Sequence, residues 1–332
     1  MPELPEVETI RIGLQRLLPG RVVAAVEHDN AKSFPNAPAD VAEFLVGASV
    51  VAVKRRAKVL LMELSSKYSL VIHLKMTGQL VFVGYSAPAS MSFPRMRESS
   101  NNDVAKSRSK LEWIPDQARN DTAAASEIRF GAGHPNDSLI GHLPDKSTRV
   151  TFTFEDGSHL FFNDQRKFGW MRLLPTTEVP NIDFMKKVGP EPLDERFTAE
   201  EFTERFQRRK NTSIKAALLD QTVVAGIGNI YADESLWGAK IHPQTLVKNL
   251  READFSRLFT EVQYVLNLSI EKGGSSDKNY INAEGKRGSY LSFARVFRRE
   301  GQPCPRCGHS IEKTRVAGRG THLCPFEQKI VR

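Results

Sequence analysis

Residues 148–164 read TRVTFTFEDGSHLFFND. Val150, Phe152 and Phe154 alternate with polar neighbours, and a second apolar run starts at Leu160. Between them Glu155-Asp156-Gly157 supplies turn residues, so the stretch reads as a β-hairpin. Short β-branched runs lie on both sides of it: RVVAAVEH (21–28), SVVAVKRRAKVLLMEL (49–64), SLVIHLKM (69–76), QLVFVGY (79–85) and GWMRLL (169–174). Such runs joined by tight turns predict a mostly antiparallel β-sandwich. One helix should precede it. Val7, Ile10, Leu14 and Leu17 recur at helical spacing, and Pro19-Gly20 stops the pattern.

From about Pro192 to Gly274 the pattern changes to helical. TAEEFTERFQRR, SIKAALLDQ, NIYADESLWGAKI and READFSRLFTEVQYVLNLSIEKGG carry the 3.6-residue period. The fold class is therefore α+β and multi-domain: an N-terminal helix plus antiparallel sandwich over 1–190, an all-α domain over 191–274, and a basic, glycine- and cysteine-bearing tail over 275–332. A chain of 332 residues is long for a single core. Between Ser86 and His142 the chain is rich in Ser, Asn, Asp and Pro without a sustained period, and its charges cancel. It reads as a flexible insertion between two strand-like segments, with no catalytic role.

The net charge of +8 is unevenly placed: 13 Lys/Arg against 5 Asp/Glu lie between Lys272 and Arg332, which accounts for the whole surplus. A concentrated basic tail fits a polyanion partner such as nucleic acid, or a solvated cationic surface. No apolar run approaches the length of a membrane span, and the acidic, proline-bearing start is not a secretory signal. Three late cysteines argue against a disulfide scaffold, so a reducing cytoplasmic setting is expected.

Two stretches outside the sandwich could carry chemistry. In QTVVAGIGNIYADE (221–234), Gly226 and Gly228 permit turns that a Cβ would hinder, and Asn229 stands before a helix. Free N–H groups at a helix start can hold a phosphate, and an Asn there can equally be a plain cap. In the tail, Cys304-x-x-Cys307 forms one metal knuckle, while Cys324 is followed three residues later by Glu327 instead of a cysteine. Structural zinc takes four ligands. Three thiolates with Glu327, His322 or His309 could hold it, or the segment could be a metal-free hairpin. Arg319 sits in a glycine turn, AGRGT, where its fork could meet a phosphate.

PELPEVET, RRAKVLLMEL, HLKMTGQL, DQRKFG, VGPEPL, IKAALLDQTVVAGIGNIYADE, EKGGSS, EGKRG and CPRCG…GRGTHLCP occur here in one order. In that order the chain resembles the bacterial formamidopyrimidine-DNA glycosylases over nearly its whole length outside the insertion. The resemblance implies a helix–two-turn–helix domain over 191–274 and a zinc-finger-like hairpin at the end. It implies a bifunctional glycosylase and lyase that excises oxidised purines from duplex DNA, acts as a monomer and carries a structural Zn2+. It implies that removal of Met1 frees Pro2 as nucleophile, that Glu3 is the acid/base, that Glu6 positions the reacting sugar, and that Lys58 contacts a phosphate beside the lesion. Met76, Arg166 and Phe168 match the wedge that fills the hole left by the extruded base. Asn229, Lys286 and Arg319 match the phosphate grip.

The residue types suit that chemistry independently. A free α-amine titrates near 8 and is partly unprotonated at neutral pH, whereas lysine is mostly protonated. Glu3 and Glu6 could otherwise serve only as favourable charge at a helix N-terminus. Three departures stand out: Glu327 in the fourth cysteine's place, Lys75 where many members have glycine before the wedge methionine, and PDKSTRV (144–150), which lacks the histidines often seen there. A homologue that binds DNA without turnover, or an endonuclease VIII-like preference for oxidised pyrimidines, would be the alternatives.

Overall fold

The computed structural model describes residues 2–29, 31–85, 127–133, 139, 141–275 and 289–331. Helix α1 (Leu4–Leu17) opens the chain, followed by β1 (Val23–His28), α2 (Pro38–Phe44), β2 (Val50–Arg56), β3 (Val59–Leu64), β4 (Tyr68–His73), β5 (Gly78–Tyr85), β6 (Glu127–Gly133), β7 (Thr148–Phe154), β8 (His159–Asp164) and β9 (Trp170–Pro175). The strands form two antiparallel sheets, ordered β1-β7-β8-β5-β6 and β2-β3-β4-β9.

The hairpin read at 148–164 is present. Phe152 pairs with Leu160 and Val150 with Phe162. Gly157 turns at φ +79°, and Asp156 Oδ1 accepts from the Ser158 amide at 3.0 Å. The alternation puts Val150, Phe152, Phe154, Leu160 and Phe162 into one core with Leu60, Met62, Ile72 and Met171 of the facing sheet. Helix α1 completes it through Val7, Ile10 and Leu14. Burial of such side chains contributes roughly 1.5–3 kcal/mol each, which makes this layer the main stabilising term of the domain.

The stretch from 86 to 142 is not a loop throughout. Glu127–Gly133 forms β6, which pairs along β5 from Gln79↔Gly133 to Tyr85↔Glu127. Phe130 is fully buried and lies over Gly13 of α1, where a Cβ would fall 2.2 Å from the ring. Leu139 is buried against Val81 and Phe161. Residues 86–126 lie outside the described residues.

The second half is helical: α3 (Asp183–Lys187), α4 (Ala199–Gln207), α5 (Ile214–Leu219), α6 (Asn229–Gly238), the 20-residue α7 (Glu252–Glu271) and the short α8 (Tyr290–Phe293). Thr198 and Ser213 cap α4 and α5 through their hydroxyls, as side chains of this type do at helix starts. Phe202, Phe206, Leu218, Tyr231, Leu236, Phe255, Leu258 and Val262 share a second core. The chain ends in a hairpin of β10 (Glu312–Val316) and β11 (Arg319–Leu323), closed by Ala317 and Gly318, both at positive φ. No helix among the described residues is long and apolar enough to cross a membrane.

Candidate active site

The start of α1 is held from three sides. Glu3 is its N-cap: the Glu3 amide donates to Glu6 Oε2 at 2.8 Å in a reciprocal capping box. The Leu4 amide donates to Gly226 O at 3.0 Å. The Ile230 amide, in the first turn of α6, donates to Glu3 Oε1 at 3.3 Å. The AGIG turn must be glycine-rich for this approach. Gly226 sits at φ +81° against Leu4, and a Cβ on Gly228 would fall 2.1 Å from the Glu3 carboxyl carbon. Gly228 is the N-cap of α6, and Asn229 is that helix's first residue, so the helix begins one place earlier than the sequence reading.

Pro2, Glu3 and Glu6 are all buried at this junction. Burial pushes the Glu3 carboxyl up to about 7, the Glu6 charge adds to the rise, and Lys58 opposes it. Lys58 lies in the turn between β2 and β3, 6% exposed, and its Nζ donates to Ile227 O at 2.9 Å. Burial lowers its pKa, while the Glu3 and Glu6 carboxylates act to raise it. Glu191 of VGPEPL braces that turn: it accepts from Arg55 Nη1 at 2.8 Å, from Arg56 Nη1 at 3.1 Å and from the Ala57 amide.

Glu6 Oε1 is saturated. It accepts from the Tyr231 hydroxyl, from the Ser275 amide at 2.8 Å and from Ser275 Oγ at 2.7 Å. Tyr231 is fully buried and also meets Ser269 Oγ at 2.6 Å. Sequence reading missed Tyr231, Ser269 and Ser275, because nothing local links them to Glu6.

The hairpin turn of the tail reaches the same place. Asn229 Nδ2 donates to Gly320 O at 3.0 Å. Fully buried Lys215 donates to Asp233 Oδ1 at 2.6 Å, Thr321 Oγ1 at 2.7 Å and Gly320 O at 3.1 Å. Arg319 is exposed, and its charge lies near enough to lower the pKa of both Lys58 and Lys215. Asn229, Arg319, Lys58 and Glu3 therefore surround one spot. Lys286 lies outside the described residues.

Met76, Arg166 and Phe168 occupy two neighbouring turns. Fully buried Asp164 joins these turns. It accepts from Thr77 Oγ1, from the Phe168 amide at 2.8 Å and from the Gly169 amide at 2.6 Å. Phe168 is 54% exposed, with the Arg166 guanidinium 4.8 Å from its ring centroid. An exposed phenylalanine held so firmly is not a core residue. Lys75, beside Met76, and Lys167, between Arg166 and Phe168, both have positive φ. The lysine at 75 thus stands at a left-handed position that favours glycine.

In the tail the Sγ atoms of Cys304, Cys307 and Cys324 lie within 4.8 Å of one another. The amides of Arg306 and Cys307 point at Cys304 Sγ, and those of Phe326 and Glu327 at Cys324 Sγ. Burial raises the Cys304 thiol, but these amides and Trp237 outweigh it and hold it at about 7. The donor set is that of a structural zinc site with three thiolates. The fourth ligand considered in the sequence is not among them. Glu327 pairs with Arg306 at 3.2 Å and Lys240 at 3.3 Å, His309 stacks on Phe326, and His322 meets Asp233 and Glu300.

Three family models match successive parts of the chain: the formamidopyrimidine-DNA glycosylase N-terminal domain over residues 1–171, its H2TH domain over 188–280, and the zinc finger found in FPG and IleRS over 301–325. The chain belongs to the formamidopyrimidine-DNA glycosylase family. The formamidopyrimidine-DNA glycosylase of Pelotomaculum thermopropionicum is 35% identical over 331 residues, covering 99% of this chain and 100% of that one. That of Pediococcus pentosaceus is 36% identical over 328 residues, covering 99% of each. A Lactococcus lactis FPG mutant in complex with DNA containing Fapy-dG superposes at TM-score 0.76 with 31% identity, covering 99% and 100% of the two chains. The Lactococcus lactis Fpg bound to DNA containing an abasic site gives 0.76 at 30%, covering 98% and 99%. The finger match and the three clustered thiols make Zn2+ this family member's structural metal, held by Cys304, Cys307 and Cys324.

Proposed function

We propose that the chain is a DNA-repair glycosylase and abasic-site lyase that removes oxidised purines from duplex DNA in the cytoplasm, acting as a monomer. One observation carries the reading: the first residues of the chain are buried against α6 with a raised-pKa carboxyl, a lysine and an exposed arginine around them. A structural N-terminus has no need of that arrangement. The relatives' complexes with Fapy-dG and abasic DNA support the substrate class.

In this reading Met1 is removed, and the Pro2 nitrogen attacks C1′ of a nucleotide turned out of the stack. The C1′–base bond breaks, and the base leaves with the proton that the Pro2 nitrogen sheds on bonding. Glu3, with its pKa near 7, carries a proton at neutral pH in about half of the molecules and gives it to the opening sugar. The proline adduct is an iminium with no second N–H to lose, so it stays cationic and draws electrons from C2′. Loss of the C2′ proton then expels the 3′ phosphate, a second elimination expels the 5′ phosphate, and water releases Pro2. Glu6, fixed by Tyr231 and Ser275, holds the Glu3 amide and the start of α1 in place. Lys58, Asn229, Lys286 and Arg319 grip the backbone. Met76, Arg166 and Phe168 fill the gap left in the duplex.

Two variants separate these roles. Phe168→Ala should slow excision from duplex about 10- to 100-fold, because the wedge offsets an unstacking cost of a few kcal/mol. Incision at a ready-made abasic site, which has no base to extrude, should fall much less. Equal losses on both substrates would contradict the wedge role. Arg319→Ala should make the plot of log affinity against log salt shallower by about 0.9, the value of one phosphate contact. An unchanged slope would remove Arg319 from the grip. The substrate is tested by comparing excision of 8-oxoguanine opposite cytosine with excision of thymine glycol. The account expects the purine to be preferred, and a clear pyrimidine preference would overturn it.

A further inference from the structure

We propose that the finger's zinc is held by three protein thiolates only, and that its fourth position takes a small thiol from solution. The cluster is preformed: three Sγ atoms lie within 4.8 Å of one another, with those of Cys307 and Cys324 3.4 Å apart. The second turn, Cys324-Pro325-Phe326-Glu327, repeats the Cys-Pro order of Cys304-Pro305-Arg306-Cys307, but its last position is not a cysteine. That leaves a knuckle with one ligand position unfilled.

Among the described residues no carboxylate or imidazole joins the three thiols. The candidates are each held elsewhere. Glu327 sits between the Arg306 and Lys240 cations. Arg306 in turn is fixed: its guanidinium lies 3.7 Å from the Trp237 ring centroid and donates to Trp237 O and to Gly238 O at 3.2 Å. Both cations meet the same oxygen, Oε2, and Glu327 is not grouped with the three thiols. His322 Nδ1 meets Asp233 Oδ2 at 3.4 Å, its ring packs on the edge of Phe297 at 5.1 Å, and it is not grouped with the three thiols. His309 lies flat on Phe326 at 3.9 Å, and both residues are exposed.

Zinc is four-coordinate in structural sites and keeps an exchangeable position where the protein supplies only three ligands. With three thiolates already bound, a fourth sulfur donor matches the site's softness better than a carboxylate does. The Cys307 side of the cluster is only half-buried, so a small ligand can approach.

The test uses the full chain loaded with Co2+, whose sulfur-to-metal absorption reports the thiolates bound. Adding 2-mercaptoethanol to the parent protein should raise that absorption by about one third, as three thiolates become four. Glu327→Cys should show the four-thiolate intensity from the start and not respond. Glu327→Gln should behave as the parent. Native mass spectrometry of the zinc protein in 2-mercaptoethanol should show one metal plus one thiol adduct, lost when Cys307 is replaced by serine. A parent spectrum that ignores the thiol would overturn the proposal. So would a Glu327→Gln spectrum that differs before any thiol is added, since Glu327 would then be the ligand. A parent chain that binds no Co2+ and no Zn2+ would overturn it as well. None of these readings depends on excision.

Discussion

A protein carrying one additional residue before Pro2 is expected to excise 8-oxoguanine at least about 10⁴-fold more slowly and to form no borohydride-stable adduct with damaged DNA. The extension turns the Pro2 nitrogen into an amide, which has no available electron pair to form the bond to C1′. The structure leaves little freedom for a substitute. The Glu3 and Leu4 amides are committed to Glu6 and Gly226, and α1 begins at once. Lysines 58 and 215 are the nearby amines, but both are buried and donate to acceptors of their own. Affinity for damaged duplex should survive, since the residues proposed for the wedge and the phosphate grip lie on other elements. Loss of affinity together with activity would point to misfolding of the N-terminus.

Glu3→Gln should lower excision by about 10²- to 10⁴-fold, the usual weight of a general acid–base group. It should also stabilise the protein at alkaline pH. In the folded chain burial holds this carboxyl at about 7 against an ordinary 4.5. A raised folded-state value means that folding favours the neutral form. The favourable contribution is complete below about 4.5 and is lost as pH rises through 7. Glutamine stays neutral and escapes the loss. Denaturant unfolding should therefore show the variant more stable by up to about 3 kcal/mol at pH 8, with the gap closing toward pH 5. A gap that does not change with pH would mean that the carboxyl is ordinary and that its role as proton donor at neutral pH is unsupported.

The sandwich, the first helix and the helical domain were legible because their signals are local. The alternation at 148–164 gives both strands of the hairpin, and Val7, Ile10 and Leu14 give the buried face of α1. Strand β6 was not legible. Its EIRFGAG sequence has weak periodicity, and only pairing with distant β5, together with the glycine at position 13 that admits Phe130, makes it a strand. The same holds within the site. The motifs single out Pro2, Glu3, Glu6 and Lys58 as candidates, but the groups that fix them come from far along the chain. Tyr231 and Ser275 reach Glu6, Glu191 braces the Lys58 turn, and Asp164 joins the two turns proposed to form the wedge. A single sequence carries no record of such long-range hydrogen bonds. The missing fourth cysteine was plain, but only the structure turns Glu327 toward Arg306 and Lys240.

The Pro2 nitrogen is the atom expected to bond to the sugar. The protein should be reduced with borohydride while acting on duplex bearing 8-oxoguanine, digested with trypsin and mapped by mass spectrometry. The account predicts that the deoxyribose remnant lies on the peptide of residues 2–11, PELPEVETIR, at the proline nitrogen, with Met1 absent. A remnant on the peptide bearing Lys58 or Lys215, or an active protein that retains Met1, would contradict it.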